Sequence, residues 1–81
     1  MMNHLAETTA ENIRIHLREA SMTQKYLSWE TGIPYVTLNR KLRGKQDFSL
    51  SEVYIIAKAL KIEVSALIAP VAETKASKEA A

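Results

Sequence analysis

Hydrophobic positions recur along the chain at intervals of three and four residues, the spacing of one face of an α-helix. In the first such segment, which we predict to run from about Thr9 to Ala20, the shared face consists of Ala10, Ile13, Leu17 and Ala20. The tetrapeptide Thr8-Thr9-Ala10-Glu11 fits a capping box, in which a hydroxyl and a carboxylate satisfy free backbone N–H groups. The first helix is therefore expected to begin there.

A second helix and a tight turn are predicted in the middle of the chain. Thr23 can cap a helix from Gln24 to Thr31, with Leu27 facing inward. Gly32 provides the left-handed backbone that ends this helix. Pro34 has no N–H to donate, so it suits the start of a third helix. Two short helices joined in this way form a helix-turn-helix.

The clearest helix follows a second capping box, Ser49-Leu50-Ser51-Glu52, where Phe48 can pack on Val53 as a hydrophobic staple. Its inward face is formed by Val53, Ile56, Ala57 and Leu60. A last short helix is predicted from Glu63 to Ile68, ended by Pro70. The pattern contains no strands and no repeats. The predicted fold class is all-α, a compact bundle of five short helices.

Length and composition limit what can hold this bundle together. The chain has 81 residues and no cysteine, so one small core must supply the stability. His4 and His16 lie far apart without ligand partners, and we expect no metal and no cofactor. No apolar run approaches the ~20 residues of a membrane span, and the N-terminus lacks signal-peptide features. We expect a soluble cytoplasmic protein.

Positive charge is concentrated in one place. Between Gly32 and Gln46 the chain carries four basic residues and no acid, namely Arg40, Lys41, Arg43 and Lys45. Such a block on a chain of net charge +2 indicates an anionic partner. A solvated helix face is the alternative when charge is considered alone.

The third helix separates apolar from polar side chains. At about 100° per residue, Leu38 and Leu42 face inward, and Ile33 fills the turn before them. The opposite side carries Val36, Asn39, Arg40 and Arg43, with Tyr35 exposed at the N-terminal end. Apolar, amide and guanidinium groups are those that contact base edges and phosphates in a DNA major groove. This face therefore predicts DNA binding.

Two stretches separated by three residues carry a family resemblance, TQKYLSWETGIPYVTLNRKLRG and FSLSEVYIIAKALKIEVSALI. The motifs are Thr-Gln at the second helix, Leu27, Gly32-Ile33, Thr37-Leu38, Arg40, Arg43-Gly44 and IAKAL. From Glu11 to Ile68 the chain resembles the lambda-repressor-like Cro family of phage and bacterial transcription regulators. The resemblance implies a five-helix domain whose third helix, residues 35–43, enters the major groove of double-stranded DNA in a bacterial cell.

The resemblance also assigns roles to residues. It implies base reading by Tyr35, Val36, Asn39 and Arg40, and a phosphate contact by Gln24. The complete expected set of phosphate-contacting residues is Gln24, Lys25, Thr37, Arg43 and Lys45. A plain helix-capping role remains an alternative for Gln24.

The chain departs from the family pattern at four positions. Lys41 stands where many relatives have an apolar residue, and its direction towards the flank leaves a structural role open. Lys61 replaces a usual glycine, so positive φ is expected there. Glu63 replaces a Ser or Asp cap, and Pro34 replaces a Ser or Thr cap.

Several residues do not fit the inward faces. Ile15, Trp29 and Ile55 point away from the core by the same helical count. Trp29 could belong to a partner surface or could pack on a terminal arm. Arg14 and Arg18 are expected to form a solvated basic stripe on the first helix rather than a phosphate clamp.

Function classes can be separated on the same grounds. The chain lacks paired carboxylates, a Ser/His or Cys/His set and a glycine loop, so we expect no enzyme and no small-molecule substrate. The alternative to a DNA-binding regulator is a protein-interaction module on the same bundle, antitoxin-like or an adaptor.

The domain organisation follows from the same pattern. We expect an arm at residues 1–8, the DNA-binding domain at 9–69 with its helix-turn-helix motif at 24–43, and a flexible tail at 70–81. We expect at most a weak homodimer on DNA.

Overall fold

Five α-helices follow one another in the computed structural model, which describes residues 4–70. They are α1 (His4–Glu19), α2 (Gln24–Thr31), α3 (Tyr35–Leu42), α4 (Leu50–Leu60) and α5 (Val64–Ile68). No strand occurs within these residues, so the predicted all-α bundle is confirmed. No helix of the described range is long and apolar enough to cross a membrane. The predicted tail beyond Pro70 lies outside the described residues.

Helix α1 begins earlier than predicted, at His4 rather than near Thr9. The capping box proposed at residues 8–11 is therefore wrong, because Thr8, its proposed capping residue, lies within the helix and not at its start. Residues 4–8, expected in an arm, also belong to α1, since no Gly or Pro interrupts the helix there. At the other end Ala20 lies beyond Glu19 and is exposed, contrary to its predicted inward position.

The turn between α2 and α3 has the predicted form. The Thr23 hydroxyl caps α2 by accepting the N–H of Tyr26 at 3.0 Å. Gly32 has a left-handed backbone with φ 79°, and its N–H donates to the Ser28 carbonyl. The Ser28 hydroxyl in turn donates to the Ile33 carbonyl at 2.6 Å. These contacts set the direction in which α3 leaves α2.

The core is formed by apolar side chains from all five helices. Its buried members are Ile13, Leu17, Leu27, Ile33, Leu38, Leu42, Val53, Ile56, Ala57, Leu60 and Leu67. Helix α1 packs on α3 and α5, while α4 packs on α2 and α5. Asn12, also buried, donates from Nδ2 to the Leu67 carbonyl at 3.0 Å and so ties α1 to α5.

The ends of α4 confirm the sequence interpretation. Ser49 and Glu52 form the predicted reciprocal capping box. Val53 is buried in the core and Phe48 is partly buried against it, while the staple contact between the two side chains stays a prediction. Lys61 ends the helix with φ 61°, the positive value that the sequence analysis predicted.

The predictions for off-face apolar residues divide. Trp29 is 83% exposed and Ile55 is 38% exposed, as predicted. Ile15 is only 5% exposed, so its predicted outward position is wrong. The prediction for α1 assumed that only one face of the helix is buried. In the structure Asn12, Ile13 and Ile15 are all buried, so other parts of the protein cover more than one face of this helix.

Substitution of Gly32 tests the turn. A Cβ built at this position meets no atom within 4 Å, so the cost of Gly32→Ala is the left-handed backbone alone. We expect Gly32→Ala to lower the free energy of unfolding by about 1 kcal/mol. Gly32→Asn should cost less, because asparagine tolerates this region better. Urea denaturation of both variants measures the difference, and equal losses would contradict the backbone explanation.

Candidate nucleic-acid interface

Helix α3 presents one face to the core and the opposite face to solvent. Leu38 and Leu42 are buried, and this burial fixes the rotation of the helix about its axis. Val36 is then 67% exposed, and Arg40 lies exposed one turn later on the same side. The predicted division of α3 into a buried apolar face and an exposed polar face is therefore confirmed.

Five side chains line a single open groove on this outer side. They are Val36, Asn39, Arg40, Arg43 and Lys45, which we call the basic groove. None of its three cations has an ion-pair partner within residues 4–70, and no acid lines the groove. The groove thus combines hydrogen-bond donors and free positive charge, the combination that DNA requires.

The other predicted contact residues lie around this groove. Tyr35 is exposed at the first position of α3, and Lys25 is exposed at the second position of α2. Thr37 is half-buried on α3. The groove lining does not include these three residues, so their predicted contacts with DNA remain predictions.

Gln24 and Asn39 contact each other across the two helices. The Asn39 amide donates from Nδ2 to Oε1 of Gln24 at 3.0 Å. Thr23 caps α2, so Gln24 is free of the capping role that the sequence had left open. The contact leaves Oδ1 and one N–H of Asn39, together with the Gln24 amide donors, for other partners.

The C-terminal end of α3 is supported by Arg14. Its Nη1 donates to the carbonyl oxygen of Leu42, while its Nη2 forms an ion pair with Glu11. A cation at a helix C-terminus is favourable because the free carbonyls carry partial negative charge. The predicted solvated stripe is therefore wrong for Arg14, although Arg18 is exposed. Sequence spacing gave no signal for this contact between distant residues.

Lys41 has a structural environment that separates it from the other basic residues. It is 7% exposed, and its Nζ lies 2.6 Å from Oε1 of Glu52 on α4. Desolvation alone would raise the pKa of the Glu52 carboxyl. The hydrogen bonds from Lys41 and Ser49 and the Lys41 charge outweigh it and hold that pKa below its ordinary value.

A short α2, a glycine turn and an α3 with an exposed basic face define a helix-turn-helix DNA-binding protein. The Cro/C1-type HTH DNA-binding domain matches residues 12–73, and the chain belongs to this family. A crystal structure described as a hypothetical transcription factor, NHTF, from Neisseria has a similar fold, with a TM-score of 0.82 at 22% sequence identity. The match covers 90% of this chain and 84% of that one. No curated protein matches the sequence.

The Glu52 carboxyl predicts a pH dependence of stability. Because its folded-state pKa lies below the ordinary 4.5, its ionised form stabilises the fold above that pH. The contribution is lost as pH falls through the folded-state pKa. We expect Glu52→Gln to lower the free energy of unfolding near neutral pH by about 1–2 kcal/mol.

Urea denaturation across the acidic range measures this effect. The difference between wild type and Glu52→Gln should shrink as the pH falls below 4.5. Glu63→Gln is the control, since Glu63 is exposed and makes no side-chain cap bond to α5. A difference that stays constant with pH would assign the loss to something other than the carboxylate charge.

Proposed function

We propose that this Cro/C1-type protein is a sequence-specific regulator of transcription, of the repressor or Cro kind, that inserts α3 into the major groove of double-stranded DNA. The observation that carries the proposal is the basic groove, where three cations without ion-pair partners in residues 4–70 surround Val36 and Asn39. Bound protein would act by occupancy, either blocking polymerase or recruiting it.

Base reading is proposed for the exposed side of α3. The Arg40 guanidinium suits the O6 and N7 atoms of guanine, and Val36 suits a thymine methyl group. Asn39, oriented by Gln24, keeps an acceptor and a donor for a base edge. Tyr35, exposed at the first position of the helix, completes the proposed reading set.

Phosphate contacts are proposed on both sides of the reading helix. Arg43 and Lys45 follow its last turn, while Gln24 and Lys25 begin α2. Thr37 offers a hydroxyl between them. Such contacts set register and orientation on the duplex without reading sequence.

A direct test is a gel shift with random-sequence duplex at low and moderate salt, followed by selection of bound sequences from a random library. We expect binding that weakens with salt and a selected consensus. Absence of binding at low salt would favour the interaction module instead. Binding without any selected sequence would leave a nonspecific DNA-binding protein.

Arg40→Ala tests base reading. We expect a loss of about 1–3 kcal/mol on the selected site and relaxed preference at one base pair, because a bidentate contact to guanine is removed. Competition titrations against random DNA measure both quantities. Arg18→Ala, which removes an exposed arginine from α1, is the control. Equal weakening on selected and random DNA would assign Arg40 to the backbone.

Lys45→Ala tests the phosphate contact. Binding to all duplexes should be weakened alike, and the slope of log K against log salt should become shallower by about one unit. Lys58→Ala provides the same charge change at an exposed position on α4 that does not line the basic groove. A slope that matches the wild type would show that Lys45 does not neutralise a phosphate.

Dimer formation on DNA is proposed because one short helix reads only a few base pairs. Two-fold dimers place reading helices about one helical turn apart. The candidate contact is α5, where Ile68 is exposed and where Val64 lines a groove together with Tyr54 of α4. The exposed Trp29 lies on α2, which would cross the DNA backbone, so it is less suited to this contact.

The dimer proposal predicts a monomer or weak dimer in free solution that binds cooperatively to a nearly palindromic site. Sedimentation velocity of the free protein and titration of full and half sites measure the two properties. Ile68→Glu should remove the cooperativity and leave half-site affinity unchanged, because it places a charge in the proposed contact. Equal affinity per half-site in wild type would contradict dimer formation.

A further inference from the structure

One carboxylate oxygen joins both ends of the loop that follows α3. Oε1 of Glu52 accepts a hydrogen bond from the Lys41 ammonium at 2.6 Å and another from the Ser49 amide at 2.8 Å. Lys41 precedes the loop and Ser49 ends it. The bond to Ser49 completes the α4 capping box, whereas the bond to Lys41 is additional to it.

The loop held in this way, residues 43–49, carries two cations of the basic groove. Arg43 and Lys45 lie on it and are both exposed. Lys41 does not line the groove and is buried on the inner side of α3. Its ammonium therefore acts on the loop from the side opposite to the groove.

Fixing both ends of a loop reduces the number of conformations available to its backbone and therefore to the side chains that it carries. A charge-assisted bond to a largely desolvated ammonium is stronger and more directional than a neutral one. Binding then requires less additional ordering of the groups that contact the ligand. A loop released at Lys41 would have to be ordered when DNA binds.

We propose that Lys41 is a positioning residue for DNA binding, whose ion pair with Glu52 holds the 43–49 loop so that Arg43 and Lys45 meet the phosphate backbone. This inference rests on the proposed function. A purely structural role would not predict that the effects of substituting Lys41 and Lys45 on DNA affinity depend on each other. The positioning role does predict this dependence.

The test variant is Lys41→Met, which keeps an unbranched apolar stem, removes the ammonium group and leaves the Ser49–Glu52 capping box intact. Lys58→Met is the matched control, since it removes the same charge from an exposed position on α4. Lys41→Met/Glu52→Gln is the second variant, to be used if the unpaired Glu52 carboxylate destabilises the first. All affinities are measured on a half-site duplex, well below the unfolding transition of each variant.

We expect Lys41→Met to weaken DNA binding about threefold to tenfold. The loss of DNA affinity caused by Lys45→Ala should be smaller by about twofold or more in the Lys41→Met background than in the wild type. Amide hydrogen exchange at residues 43–48 of the free protein should be faster in the variant than in Lys58→Met.

The outcomes are distinguishable from failure of the proposed function. Suppose that the wild type binds DNA and that Lys45→Ala lowers the affinity by the same factor in the wild type and in the Lys41→Met background. The positioning role is then overturned, while DNA binding stands. Affinity and loop exchange equal to those of Lys58→Met would overturn it as well. If wild type does not bind DNA at low salt, the proposed function fails and this inference with it, even where loop exchange changes.

Discussion

The burial of Leu38 and Leu42 is the constraint on which the rest of the structure depends. These two side chains pack into a core to which the other helices also contribute, so α3 cannot rotate without exposing them. With the helix held at that angle, Val36 and Arg40 must face solvent. The chemistry of the outer face thus follows from apolar packing on the inner face. Because the chain has no cysteine, packing and not a disulfide holds this outer face in place.

Three polar contacts refine this arrangement, each at a different point of α3. Gln24 holds Asn39 in the middle of the helix, Arg14 caps the Leu42 carbonyl at its end, and Lys41 joins it to α4 through Glu52. Each contact uses a group that would otherwise be free to move or would be left without a partner in the interior. Together they place the basic groove on a support that extends from α1 to α4.

The charge distribution distinguishes residues that look alike in the sequence. Arg40, Lys41, Arg43 and Lys45 form one basic block, yet only three of them line the basic groove. Lys41 is turned inward, where a carboxylate compensates its desolvated charge. A count of basic residues would therefore overestimate the number available to a phosphate backbone. Membership of the Cro/C1-type family, together with this geometry, supports DNA as the partner.

Local sequence signals determined the helices α2 to α5, the side-chain caps of α2 and α4 and the glycine turn, because capping and left-handed backbone depend on neighbouring residues. Pro34 and Glu63, which precede α3 and α5, make no side-chain cap bond. The tertiary structure alone decided which distant side chains meet: Arg14 with the Leu42 carbonyl, 28 residues apart, and Asn39 with Gln24, 15 residues apart. It also decided that Ile15 is buried and that α1 begins at His4. A helical period specifies one face of an isolated helix, but burial depends on how many neighbours surround that helix, and a single sequence does not encode those neighbours in any local pattern.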